Sequence, residues 1–158
     1  MRLRYPLVVA ALALVLAVPA AQADTGFSCT LNGAQAGTPS LGTGSGTVVV
    51  ANSQLSLVYN VTYTGLGTNR TNQHIHGPAA PGATAGVIVP FTGTGTTSGT
   101  LAGTAACTPT IVGYMLAGNT YVNIHSSGYP AGEIRGQLYT DATPARGTSW
   151  SRIKTLYK

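Results

Sequence analysis

The sequence predicts an all-β domain: a single Greek-key-like antiparallel β-sandwich or barrel, with one short helix near residues 109–116. Three observations predict it. Helical periodicity is almost absent after Asp24. Short β-branched stretches alternate with glycine and proline punctuation, which marks strand ends and turns. In Leu55-Ser56-Leu57-Val58-Tyr59-Asn60-Val61-Thr62-Tyr63 the odd positions are apolar or aromatic, the period of a strand with one buried face.

The elements follow in chain order. Met1-Arg2-Leu3-Arg4 is a short basic start, and a continuous apolar run follows from Leu7 to Val18. Pro19 and the triplet Ala21-Gln22-Ala23 complete the pattern of a cleavable secretion signal. The run is shorter than the roughly 20 residues a membrane span needs. Cleavage after Ala23 divides the chain into a leader (1–23), a β-domain (24–140) and a C-terminal tail (141–158). No other apolar run in the sequence is long enough to span a bilayer. The expected destination is periplasmic, cell-surface or extracellular.

Expected strands are Phe27–Leu31, Gly46–Ala51, Gln54–Tyr63, Gln73–His76, Val87–Phe91, Ser98–Ala105, Thr120–His125 and Ile134–Tyr139. Asn52-Ser53 reads as a turn between two of them. The stretch Gly93 to Gly99 is glycine-rich without a lysine placed for phosphate, and reads as a flexible hairpin turn. Pro109–Leu116 is the one helical candidate of the domain. Thr143 to Gly147 reads as a linker, and Ser149–Lys158 carries the single tryptophan, Trp150.

Charge narrows the partners. The net +5 falls to +3 once Arg2 and Arg4 leave with the leader. Four of the remaining cations, Arg146, Arg152, Lys154 and Lys158, lie in the tail, which is therefore expected to be flexible and able to touch an anionic surface. The near-neutral β-domain lacks the basic face that phosphate backbones require, so nucleic acid is not an expected partner. Cys29 and Cys107, an even pair in an exported chain, are expected to form a disulfide. Such a bridge would contribute up to about 4 kcal/mol. Asn60-Val61-Thr62 and Asn69-Arg70-Thr71 fit the glycosylation sequon and are expected to stay unmodified.

All three histidines lie in two short motifs, Gln73-His74-Ile75-His76-Gly77-Pro78 and Tyr121-Val122-Asn123-Ile124-His125. In a strand, residues two apart share a face. His74 and His76 therefore point together while Ile75 enters the core, and Asn123 points with His125. On Glu133-Ile134-Arg135-Gly136-Gln137-Leu138, residues Glu133, Arg135 and Gln137 form the polar face. Neutral imidazoles in this arrangement suit copper or zinc. Three protein ligands would leave a coordination position open. His74, His76 and His125 are thus the candidate metal ligands, with Asn123, Glu133 and Arg135 behind them. Arg135 can steer an anion or pair with Glu133. The competing account makes the histidines purely architectural, satisfied by backbone or by Asn123.

His74 to Ala79, Gly86-Val87-Ile88-Val89, Leu116 to Ser126 and Pro130 to Leu138 resemble the CHRD (chordin-type) domain family in its bacterial secreted form. The resemblance covers about Phe27 to Tyr139 and is most specific in its last segment. Where family members often carry Glu-Val-Pro-Pro, this chain has Gly37-Thr38-Pro39-Ser40. The resemblance implies an extracellular β-module and names no settled activity. Three functions follow as expectations: an exported binding module with a copper or zinc site; a structural or adhesive domain binding protein or glycan; and a redox enzyme similar to Cu/Zn superoxide dismutase. The enzyme reading is the weakest. That enzyme uses more histidines. No nucleophile elbow or Cys paired with a nearby His is present, and the few acids, Glu133 and Asp141 among them, make no convincing carboxylate pair. No catalytic residue is assigned.

Overall fold

The computed structural model describes residues 24–141, so the leader and the basic tail lie outside the described residues. Nine strands and two short helices follow in the order β1 (Thr25–Asn32), α1 (Gly33–Ala36), β2 (Thr43–Val50), β3 (Ser56–Thr64), β4 (Arg70–His76), β5 (Val87–Pro90), β6 (Gly99–Ala106), α2 (Pro109–Leu116), β7 (Tyr121–Ser126), β8 (Ile134–Gln137) and β9 (Tyr139–Thr140). All nine strands join one antiparallel sheet in the order β5-β4-β7-β8-β1-β2-β3-β6, with β9 also beside β1. The sheet curls into a nearly closed barrel. Its ends, β5 and β6, face a common cleft lined by Ile88, Pro90, Ala105 and Ile111. β1, β2 and β3 follow one another, and the late strand β8 returns to lie beside β1, a Greek-key-like closure.

The period-two pattern builds the core. On β3, Leu57, Tyr59, Val61 and Tyr63 are buried and the residues between them exposed. Leu55 lies before the strand and is 63% exposed, so the expected alternation begins two residues later than the sequence reading placed it. The turn at Asn52-Ser53 is present, closed by hydrogen bonds from Gln54 N to Ala51 O and from Ala51 N to Ser56 O. Phe27, Leu31, Val48, Ile75, Val122, Ile124 and Ile134 join the β3 residues in one cluster. Each large side chain so buried is worth about 1.5–3 kcal/mol. Tyr59 stacks on Phe91 with ring centroids 3.8 Å apart.

α2 spans the residues expected for it. Thr108 caps it by accepting from Ile111 N, and Pro109 sits in the first turn, where its missing N–H costs nothing. A second helix, α1, was not expected. It is a single turn capped by Asn32, which accepts from Gln35 N, and ended by Gly37 in the left-handed conformation (φ 72°). Four residues are too few for helical periodicity to show in a sequence.

Two further expectations are corrected. Gly93 to Gly99 is not a hairpin turn, because β5 pairs with β4 while β6 pairs with β3 at the far end of the sheet. The segment crosses the barrel seam. It is held by Arg70, whose guanidinium donates to Thr94 O (2.6 Å), to the Tyr63 hydroxyl (2.9 Å) and to Gln73 Oε1. Nor is there a disulfide: Cys29 and Cys107 are both free and buried. Register explains it. Cys29 lies opposite Gly46, which lies opposite Val61 and then Leu101, three strands away on β6. Three strand spacings are about 14 Å along the sheet. Cys107 lies six residues beyond Leu101, whereas a disulfide needs Cα atoms within about 7 Å. Burial pushes the Cys29 thiol up to about 12, opposed by a hydrogen bond with the Gly46 backbone, and raises the Cys107 thiol as well.

Candidate metal centre

The two histidine strands are neighbours. β4 pairs with β7 so that His74 faces Asn123, His76 faces Tyr121 and Asn72 faces His125. Ile75, Val122 and Ile124 fill the core, so alternation turns the histidines, Asn123 and Tyr121 to the other side of the sheet. That side is not open to solvent: His76 and His125 are each 8% exposed, and His74 is half-buried. The segments 77–86 and 127–133 border it.

The three rings converge. Centroids lie 5.4 Å apart for His74 and His76, 5.1 Å for His74 and His125, and 5.7 Å for His76 and His125. One ring nitrogen from each lies within 4.8 Å of the others. His74 Nδ1 and His125 Nε2 are 3.3 Å apart. Two ligands about 2.0–2.1 Å from a tetrahedral ion stand about 3.4 Å from each other.

Two backbone carbonyls orient the set. A carbonyl only accepts, so His76 Nδ1–H donates to Ala85 O and His125 Nδ1–H to Pro130 O, both at 2.9 Å. In the neutral rings the lone pairs are then on Nε2. His76 Nε2 is buried without a hydrogen-bond partner. Burial, with the charges of His125 and His76, lowers the His74 pKa to about 4. Burial also lowers His76, opposed by the Ala85 hydrogen bond and reinforced by His125 and Arg135. The set favours unprotonated imidazoles, the form that binds a metal.

Arg135 neither pairs with Glu133 nor opens toward an anion. Its guanidinium donates to Ala83 O (2.7 Å), Ala80 O (3.4 Å) and Gln137 Oε1 (2.9 Å), and lies 3.6 Å from the Tyr121 ring centroid. The His76 ring stacks on the same tyrosine at 5.0 Å. The Tyr121 hydroxyl accepts from Ala85 N (3.1 Å), and Gln137 Nε2 donates to Ala79 O (2.9 Å). Arg135, Gln137 and Tyr121 thus pin the segment that supplies the Ala85 carbonyl. Glu133, fully buried, accepts from Ser40 Oγ (2.7 Å) and Gly67 N (2.6 Å). It braces the Gly37-Thr38-Pro39-Ser40 segment rather than the histidines. Asn123 donates to Ala131 O and to none of the histidines.

Sequence reasoning named the three histidines and put Gln137 on the polar face, but missed Tyr121 and the two carbonyls. Tyr121 had a signal, since it alternates with Asn123 and His125. The carbonyls had none, because backbone atoms carry no residue type.

Fold and site together define a small antiparallel β-barrel module with a histidine cluster on one covered outer face. The chain belongs to the CHRD domain family, which it matches over residues 27–138. No curated protein and no solved structure matches it significantly. CHRD domains are extracellular-type modules. Among the described residues no helix is long and apolar enough to cross a membrane.

Proposed function

We propose that this CHRD domain is an exported binding module that holds a copper or zinc ion on His74, His76 and His125. One observation carries the reading: backbone carbonyls take the Nδ1 protons of His76 and His125, leaving Nε2 lone pairs at a shared site, with that of His76 buried and unpaired. Imidazole nitrogen suits either metal. Bound there, the ion would supply a Lewis acid or, with copper, a redox centre. The leader-like residues 1–23 support export to the periplasm, the cell surface or the medium. A superoxide-dismutase-like activity stays the weaker alternative, because three histidines are fewer than that enzyme uses. Purified protein loaded with Cu(II) should show a type 2 paramagnetic signal with nitrogen coupling. A His74→Ala/His76→Ala variant that bound copper equally well would refute the reading.

A second reading, a neutral-glycan binder with architectural histidines, is favoured by the opposite wall. There Thr30, Ser45, Thr62 and Thr100 form one cross-strand row, and Ser28, Thr47, Asn60 and Ala102 the next. Ser45 and Thr62 share a hydrogen bond of 3.1 Å, and neither row carries a charge. Ser28, Ser45, Thr47, Asn60 and Thr62 line a shallow groove whose hydroxyls and amide match uncharged sugar. The protein should then be retained on an insoluble neutral polysaccharide, and Thr47→Lys/Thr62→Lys should release it. No retention of the unaltered protein would remove this reading.

A further inference from the structure

Asn123 is 6% exposed, yet its Oδ1 has no hydrogen-bond partner. The amide's orientation is determined: Nδ2 donates to Ala131 O at 3.2 Å, and a carbonyl cannot donate, so the oxygen is the free end. Asn123 stands directly opposite His74 across the β4–β7 pair and two residues from His125 on the same face. The backbone is shaped to admit it. Gly132 has φ +121°, and a Cβ there would lie 2.3 Å from both Asn123 Nδ2 and Oδ1. Only glycine lets the carboxamide lie against this turn.

Three acceptors on this side of the sheet, His76 Nε2, Asn123 Oδ1 and Glu133 Oε2, are thus buried and unpaired, and the Glu133 carboxylate is held by Ser40 and Gly67 through its other oxygen. Buried acceptors are almost always satisfied. Arg135 donates to none of them: three of its N–H groups go to Ala80 O, Ala83 O and Gln137 Oε1. What they share is a lone pair and no proton, the property a cation uses.

We infer that Asn123 Oδ1 is the fourth donor of the histidine site, completing a set of three imidazole nitrogens and one amide oxygen. The inference rests on the metal reading above. Neutral oxygen is a weaker donor than imidazole, so Asn123 tunes affinity while the histidines supply most of it.

The test uses the full chain and Cu(II), with the dissociation constant read by chelator competition and the site by electron paramagnetic resonance. Asn123→Ala should weaken copper binding about 10- to 100-fold. It should keep the nitrogen coupling and shift g∥. Asn123→Asp places a charged oxygen at the same position and should bind at least about tenfold tighter, as ligand charge adds to oxygen-donor affinity. An Asn123→Ala protein with unchanged affinity and spectrum would overturn the inference and leave the metal reading intact. If that variant does not fold, Asn123→Asp decides, and unchanged or weaker binding overturns it. An unaltered protein that bound no copper would overturn both.

Discussion

At the scale of single residues, burial sets the chemistry. The Cys29 thiol, raised to about 12, holds almost no thiolate at neutral pH, and thiolate is the reactive form. Native protein should therefore resist iodoacetamide at Cys29, while denatured protein without reductant should release two titratable thiols. Recovery of none would restore the disulfide. His74 follows the same logic with the opposite consequence. Its folded pKa of about 4 lies below its ordinary value of 6.5, so the unfolded chain binds more protons between those values. The stability that follows is full above pH 6.5 and is lost as pH falls through 4. His76 shifts in the same direction. Metal-free protein should thus melt at a lower temperature at pH 4.5 than at pH 7.5, and His74→Phe should flatten that slope. An equally steep slope in the variant would assign it elsewhere.

At the scale of elements, turns and crossings hold the strands to their register. Gly132 combines a left-handed backbone with contact against Asn123. Gly132→Ala should cost more than about 1 kcal/mol by denaturant unfolding, since it pairs conformational strain with a clash. Arg70 ties the crossing segment to β3 and β4 at the seam, and Gln73 Nε2 adds bonds to Phe91 O (3.0 Å) and Gly93 O (2.9 Å). Arg70→Met keeps the apolar stem and removes the donors. It should destabilise by about 1–3 kcal/mol by leaving buried acceptors unpaired. A neutral outcome would show that solvent replaces the guanidinium at no cost.

At the scale of the whole molecule, one sheet encloses one core, and β1 from the start of the domain pairs with β2, β8 and β9. Unfolding should be a single cooperative transition. Ile124→Ala, fully buried on β7, should lower stability by about 2–5 kcal/mol while circular dichroism and tyrosine fluorescence keep one midpoint. Two separated midpoints would show that the seam divides the barrel.

Local patterns carried much of this in the sequence. Alternation along Leu57 to Tyr63, the Thr108-Pro109 helix start, and the shared face of His74 and His76 depend on neighbours a few residues apart, and each was legible there. The motifs of residues 74–138 made the family legible too. Pairing was not legible. Which strand lies beside which depends on closing a barrel over more than a hundred residues, and local periodicity carries no information about it. That closure put His125 beside His74, left Cys29 and Cys107 strands apart, sent Arg135 to loop carbonyls instead of Glu133, and turned two backbone carbonyls onto the imidazoles. By itself the sequence determined a β-domain with three histidines on polar faces. Only the tertiary structure decided that those faces are one face, because only strand register brings distant residues together.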